Sequence, residues 1–193
     1  AWAKDNVVAT PLTTEQSAAV EAYRTTKDCY DINNSLRGTG TIAQTWKQKL
    51  FGLSKNQQET MTHLDKVIAG SRTKTDMVVM RGMKLEHGKV EEMFQPGKAW
   101  TDNGFMSTTM ASDVADRFSI TSLADHDRVV IAMNLPKGSN GYHMPRKPGA
   151  YDEAELVLPR GSRFVVDKVE RIDGRTVKVH VKHIGVKSNG STS

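Results

Sequence analysis

Cysteine is nearly absent from this 193-residue chain, in which Cys29 stands alone. A single thiol excludes an intrachain disulfide and a cysteine-rich metal site, and it reads as a core residue. Long apolar runs are missing too. No segment approaches the roughly 18 apolar residues that a membrane-spanning helix needs, so no membrane partner is expected. Histidines in a convergent arrangement are lacking as well: His180 and His183 lie three apart on an alternating segment, which puts their rings on opposite faces. Both read as surface histidines, and no metal is expected. No G-x-S-x-G elbow surrounds Ser107 or Ser119, so serine hydrolase chemistry has no support. Aromatic residues make up only 6% of the chain and are not interleaved with its cations, as a nucleic-acid platform would require. The net charge of +5 and the pI near 9.3 therefore suit an acidic partner or a phosphorylated cofactor without implying nucleic acid. The opening Ala1-Trp2-Ala3-Lys4-Asp5 carries neither an initiator Met nor an apolar signal core, which reads as a processed chain or an excised domain.

What is present changes period partway along. Thr13 and Gln16 have capping-box spacing ahead of Ala18, Ala19, Ala22 and Tyr23, and Ser54 and Gln57 repeat it ahead of Met61, Leu64, Val67 and Ile68, with a stop at Gly70. Between them Tyr30, Ile32, Asn33, Leu36 and Arg37 form a second amphipathic helix. From Asp76 onward short β-rich runs take over: Met77-Val78-Val79-Met80, Val129-Val130-Ile131-Ala132-Met133, Leu156-Val157-Leu158 and Phe164-Val165-Val166. Val177, Val179 and Val181 alternate with Lys178, His180 and Lys182 as a half-exposed strand. One short helix, with Val114, Ala115 and Phe118 on a common face, interrupts the strands. Helices followed by strands predict an α+β class, a single monomeric domain over residues 1–187 and a flexible tail over 188–193.

Several constellations carry possible chemistry. Gly38-Thr39-Gly40-Thr41-Ile42-Ala43 fits a G-x-G-x-x-A fingerprint, but it follows a helix instead of a strand and reads as a loop. Glu153-Ala154-Glu155 precedes the apolar Leu156-Val157-Leu158; on one strand its two carboxylates would share a face, and repulsion would raise one pKa. The same spacing also fits a solvated strand edge. Arg81 ends the apolar run Met77-Val78-Val79-Met80, and its fork suits either a phosphate or a structural carboxylate. Gly82 beside it would let a ligand approach the backbone. Phe105-Met106-Ser107-Thr108-Thr109 supplies a hydroxyl cluster.

The order of these pieces is more specific than any one of them. Arg81 on a strand, then Phe105-Met106-Ser107-Thr108-Thr109, then Glu153-Ala154-Glu155-Leu156-Val157-Leu158-Pro159-Arg160-Gly161-Ser162-Arg163-Phe164 resembles the Arg-Ser-Glu signature of mono-ADP-ribosyltransferases. Tyr23, Tyr30, Ile32-Asn33 and Leu36-Arg37 are similar to that family's "Y…Y..IN..LR" segment, so the resemblance covers residues 20–166. It departs mildly where Thr109 replaces the last serine of Ser-Thr-Ser. The resemblance is to bacterial toxins and effectors, which are secreted virulence factors acting in a target-cell cytosol, and to phage enzymes acting in a host cytoplasm.

That resemblance implies N-terminal helices packed on a mainly antiparallel two-sheet β core, with NAD as co-substrate. It implies that Arg81 binds NAD phosphate, that Gly82 offers its backbone to the nicotinamide amide, and that Ser107, with Thr108 beside it, serves the cofactor while Ser107 also holds Glu155. Phe118 falls where an aromatic stacks near the nicotinamide, a core position being the competing reading. Glu155 would stabilise oxocarbenium charge at the ribose, and Glu153 would orient an incoming guanidinium, so the partner is a protein bearing a reactive arginine. Tyr142, Arg146, Lys147 and Tyr151 would face that protein. An NAD glycohydrolase and a non-catalytic binding module remain the alternatives.

Overall fold

The computed structural model describes residues 5–38, 52–145 and 153–187. Both predicted capping boxes form. Helix α1 (Thr14–Tyr23) starts where the Thr13 hydroxyl accepts the Gln16 N–H and the Gln16 side chain accepts the Thr13 N–H. Helix α2 (Thr26–Arg37) is capped by Thr25 and ends at Gly38 in the left-handed region, at φ 66°. Gly38 therefore closes a helix, while residues 39–43 of the Gly-rich segment lie outside the described residues. Helix α3 (Lys55–Ala69) runs from the Ser54–Gln57 box to Gly70.

Two short strands, β1 (Val7–Ala9) and β2 (Ser71–Thr73), pair with each other. The remaining strands are β3 (Met77–Glu86), β4 (Ala99–Asp102), β5 (Met106–Thr109), β6 (His126–Leu135), β7 (Tyr142–His143), β8 (Glu155–Leu158), β9 (Ser162–Arg171) and β10 (Thr176–Val186). They form one sheet in the order β4-β9-β10-β6-β3-β5-β8-β7. Among the described strands only β6 and β10 run parallel. Helix α4 (Lys89–Met93) follows β3, and α5 (Ser112–Ser119) follows β5 and packs on β3. This is the expected α+β, mainly antiparallel architecture.

Its division into two sheets takes a particular form: β3 pairs with β6 over ten residues but with β5 only through Met80 and Thr109. The sheet is thus two leaves, β4-β9-β10-β6-β3 and β5-β8-β7, joined at one residue pair. Strand β8 lies between two cores. Leu156 and Leu158 pack with the β6 and β10 side chains, and Val157 packs with Tyr23, Ile32, Leu64 and Phe105 under the helices. Burial on both faces explains three consecutive apolar residues where a one-sided strand would alternate.

Four expectations are corrected. Strand β3 continues to Glu86, so Arg81 is mid-strand; polar residues are tolerated there because the ladder to β6 holds its backbone. His183 is buried, at 8% exposure, and sits edge-on to the Phe164 ring, whereas His180 pairs with Glu170 on the other face. Phe118 does not share the buried face of Val114 and Ala115 but is 57% exposed. Glu153 precedes β8, and Ala154 between the two glutamates adopts φ 44°. That left-handed residue costs roughly 1–2 kcal/mol for a side chain with a Cβ and breaks the strand alternation that would have put both carboxylates on one face.

Candidate functional site

The single pair that joins the leaves also gathers the chemistry. Arg81 follows Met80 on β3, Ser107 lies two residues before Thr109 on β5, and Glu155 stands opposite Thr109 at the start of β8. The Arg81 Nη1 donates to the Ser107 carbonyl at 3.0 Å. The Ser107 hydroxyl lies beside Glu155 and lowers its pKa, consistent with two alternate residues of β5, Ser107 and Thr109, sharing the face that meets Glu155.

The electrostatics of the two ends are opposed. Burial raises the Glu155 pKa above its ordinary value and Glu153 adds to that, while the Ser107 hydroxyl, Arg24 and Arg81 draw it down. Burial lowers Arg81, as does the Arg37 guanidinium nearby, with Asp102 acting in the opposite direction. Among the described residues Arg81 makes no ion pair, so a guanidinium with five donors has only a carbonyl for a partner. A half-buried guanidinium with most of its donors unused suits an anionic ligand. No group of metal-ligating side chains occurs among the described residues.

Helix α2 sets the position of β5. Asn33 accepts the Phe105 N–H at 2.8 Å on Oδ1 and donates from Nδ2 to the Tyr23 hydroxyl at 2.8 Å. Arg37 donates to both Asp102 oxygens at 2.8 and 3.0 Å and to the Phe105 carbonyl at 3.0 Å. Phe105 is therefore gripped by its N–H and its C=O two residues before Ser107. The guanidinium crosses Gly104 so closely that a Cβ there would lie 2.8 Å from Arg37 Cζ. Thr109 fixes the other end of β5: its hydroxyl donates to the Glu153 carbonyl and accepts the Ala111 N–H.

Other anticipated residues sit differently. Thr108 is buried and its hydroxyl donates to the Leu156 carbonyl at 2.7 Å, so its side chain ties β5 to β8. Gly82 faces α5; a Cβ there would lie 1.9 Å from the Ala115 carbonyl oxygen, so a close helix, and not only a ligand, demands glycine. Tyr142 belongs to β7 and is buried in the helix-side core rather than placed on a loop. Arg146, Lys147 and Tyr151 lie outside the described residues. Asn33, Arg37, Asp102 and Arg24 were not singled out as functional. Asn33 and Arg37 stood in a recognisable motif, whereas nothing in the local sequence marks Arg24, whose side chain is 11% exposed, pairs with Glu21 and acts electrostatically on Glu155.

Comparison with known proteins gives the family and the fold. The model of a family described as ADP-ribosyltransferase exoenzyme matches residues 1–187. No curated sequence matches the chain. Among solved structures, the chain is similar to Vis, an ADP-ribosyltransferase of Vibrio splendidus, in a complex with agmatine: TM-score 0.71, 20% identity, covering 99% of this chain and 83% of that one. It is also similar to Plx2a, an ADP-ribosyltransferase toxin of Paenibacillus larvae (TM-score 0.65, 20% identity, 90% and 88% covered). A third is C3stau2 of S. aureus, solved with NAD (TM-score 0.63, 21% identity, 90% and 88% covered). At such identities these likenesses concern the fold.

Proposed function

This chain belongs to the ADP-ribosyltransferase exoenzyme family, whose co-substrate is NAD, and on that premise we propose that it transfers ADP-ribose to an arginine of a target protein and releases nicotinamide. The observation that carries this reading is the half-buried Arg81, which has no ion-pair partner among the described residues and holds the carbonyl of Ser107 beside Glu155. Arg81 takes a phosphate of NAD with its fork. Gly82 meets the nicotinamide amide with its backbone, and the exposed Phe118 ring stacks nearby. Thr108 contributes from behind, by keeping Ser107 in register with β8.

In the reaction the bond between the ribose C1′ and the nicotinamide nitrogen breaks, and its electron pair leaves on nicotinamide, which is neutral and needs no acid. Glu155, oriented by Ser107, faces the positive charge that develops on the ribose. A guanidino nitrogen of the target forms the new bond to C1′, and its proton passes to Glu153. The turn at Ala154 suits that division, because it leaves Glu155 half-buried and Glu153 exposed toward an incoming macromolecule. The Vis complex with agmatine, an alkylguanidine, supports arginine as the acceptor type.

The test uses labelled NAD with agmatine as acceptor. Glu155→Gln is expected to lose transfer and NAD hydrolysis together, by about 10²–10³-fold, whereas Glu153→Gln loses transfer and keeps most of the slow hydrolysis. Wild-type protein that releases nicotinamide at the same rate with and without agmatine, leaving agmatine unlabelled, would refute transfer to a guanidine.

A further inference from the structure

Away from this site, the turn at residues 136–140 stands between two grooves. On one side is the β1–β2 ribbon, where Val8 and Arg72 lie directly opposite each other and share an exposed face. The groove over that face, about 780 Å³, is lined by Arg72, Lys74 and Lys137 together with Val8 and Thr10, and no described residue lining it carries a carboxylate. Lys137 and Gly138 also line the second groove, about 500 Å³, whose wall includes His183, Ile184 and Val186. The two grooves adjoin at Lys137 and Gly138, a trough in two parts.

Three observations make this a built surface. The turn is held rigidly: Thr73 N–H donates to the Ser139 carbonyl at 3.0 Å, Gly138 N–H donates to the Thr73 carbonyl at 2.9 Å, and Asn140 Nδ2 donates to the Ala69 and Ser71 carbonyls at 3.2 and 3.1 Å. Its charges are available. Arg72 and Lys137 have no side-chain partner among the described residues, and Asp76 beside the turn accepts the Lys137 backbone N–H. Finally, His183 is buried yet its Nε2 has no hydrogen-bond partner, an orphaned polar atom in the wall of the second groove. Flanking the cations are apolar side chains left in water, Val8 at 55%, Ile184 at 50% and Val186 at 43% exposure.

We propose that this trough docks an acidic, extended segment of the target protein, its carboxylates on Arg72 and Lys137 and its apolar side chains on Val8, Ile184 and Val186. A free phosphate would leave the exposed Val8, Ile184 and Val186 unused, and the charge has the sign that suits an acidic chain. The identification of the occupant rests on the transfer reading. A protein acceptor held at a second place presents its arginine to Glu153 at a raised effective concentration, which a single guanidine cannot achieve.

The test is Arg72→Glu combined with Lys137→Glu in the full chain, with a fluorescent peptide of alternating Glu and Leu as probe. The wild type is expected to bind it saturably, more weakly as salt rises, and the double variant to bind at least about tenfold more weakly. Agmatine modification and nicotinamide release should be the same in both, which establishes that the variant is folded. No binding by the wild type, equal binding by the variant, or displacement by millimolar inorganic phosphate would each overturn the proposal. Failure of the transfer reading would register separately, as unlabelled agmatine in the wild type.

Discussion

Glu155 is kept as a carboxylate where burial and the neighbouring Glu153 both disfavour the charge. Its folded-state pKa lies above the ordinary value of 4.5, so between those two values the folded chain binds more protons than the unfolded one. Stability therefore falls as pH rises through that window, and the ionised group is a cost at neutral pH. Glu155→Gln is expected to raise the midpoint of thermal unfolding at pH 7, and the gain should vanish below pH 4.5, where both states are protonated. Scans at pH 7 and pH 4 decide it; a variant no more stable than wild type at pH 7 would mean that Ser107, Arg24 and Arg81 fully compensate the burial. The acid limb of the turnover profile should likewise lie above the ordinary glutamate range, because catalysis needs the carboxylate. A stabilising substitution that removes activity is the usual signature of a strained site.

Helix α2 acts as a clamp on β5, and its residues can be tested as such. Asn33→Ala leaves the buried Phe105 N–H and the Tyr23 hydroxyl without their partner, a loss of about 1–3 kcal/mol that urea unfolding would read. The same change should lower kcat, because the segment leading to Ser107 is no longer fixed; unchanged kcat and stability would show that Arg37 alone suffices. Gly82→Ala drives a methyl group into the Ala115 carbonyl and the Ser119 N–H of α5, both backbone. A loss of about 1–3 kcal/mol or more is expected, with altered signals from Phe118 in the NMR spectrum as α5 moves; an unaffected Tm would contradict the packing.

Both examples show where local sequence was informative. Capping boxes, the β10 alternation and the apolar runs are local patterns, and they marked the principal helices and strands. The three-residue β1 and β2 carry too few residues for a period, and β3 extends through polar positions because β6 supports it. The candidate site was legible as an ordered set of Arg81, Ser107 and Glu155, which the fold brings together. The grip of Asn33 and Arg37 on Phe105 spans 68 to 72 residues, and nothing local encodes it. Nor did spacing alone reveal that Ala154 would turn Glu153 away from the strand.

Across the whole molecule, one buried charge holds the end of the larger leaf that lies away from the join. Asp127 is 0% exposed; it accepts from Arg171 at 3.1 and 3.3 Å and lies 3.1 Å from His87 Nδ1, while Arg171 also reaches Glu91 of α4. The Arg171 hydrogen bond holds Asp127 below its ordinary 3.8, so this stability is fully present above pH 3.8 and is lost as pH falls through the folded value. Arg171→Gln should cost about 1–3 kcal/mol at pH 7, less than a fully buried pair because Arg171 meets solvent and His87 remains. The difference from wild type should narrow on acidification below 3.8, as urea titrations at pH 7 and pH 3 would reveal; a constant gap would assign the effect to packing.

Strand β10 is the last of the described elements, yet it is seated between β6 and β9 in the middle of the leaf that carries Arg81. While the chain is being synthesised, β6 has β3 beside it but must wait for residues 176–186 before its other edge is filled. These contacts form only after the last strand is made, and until then the facing edges of β6 and β9 face water. A chain that stops before residue 176 lacks the centre of the leaf that carries Arg81, so completion of that half of the candidate site waits on the last described strand.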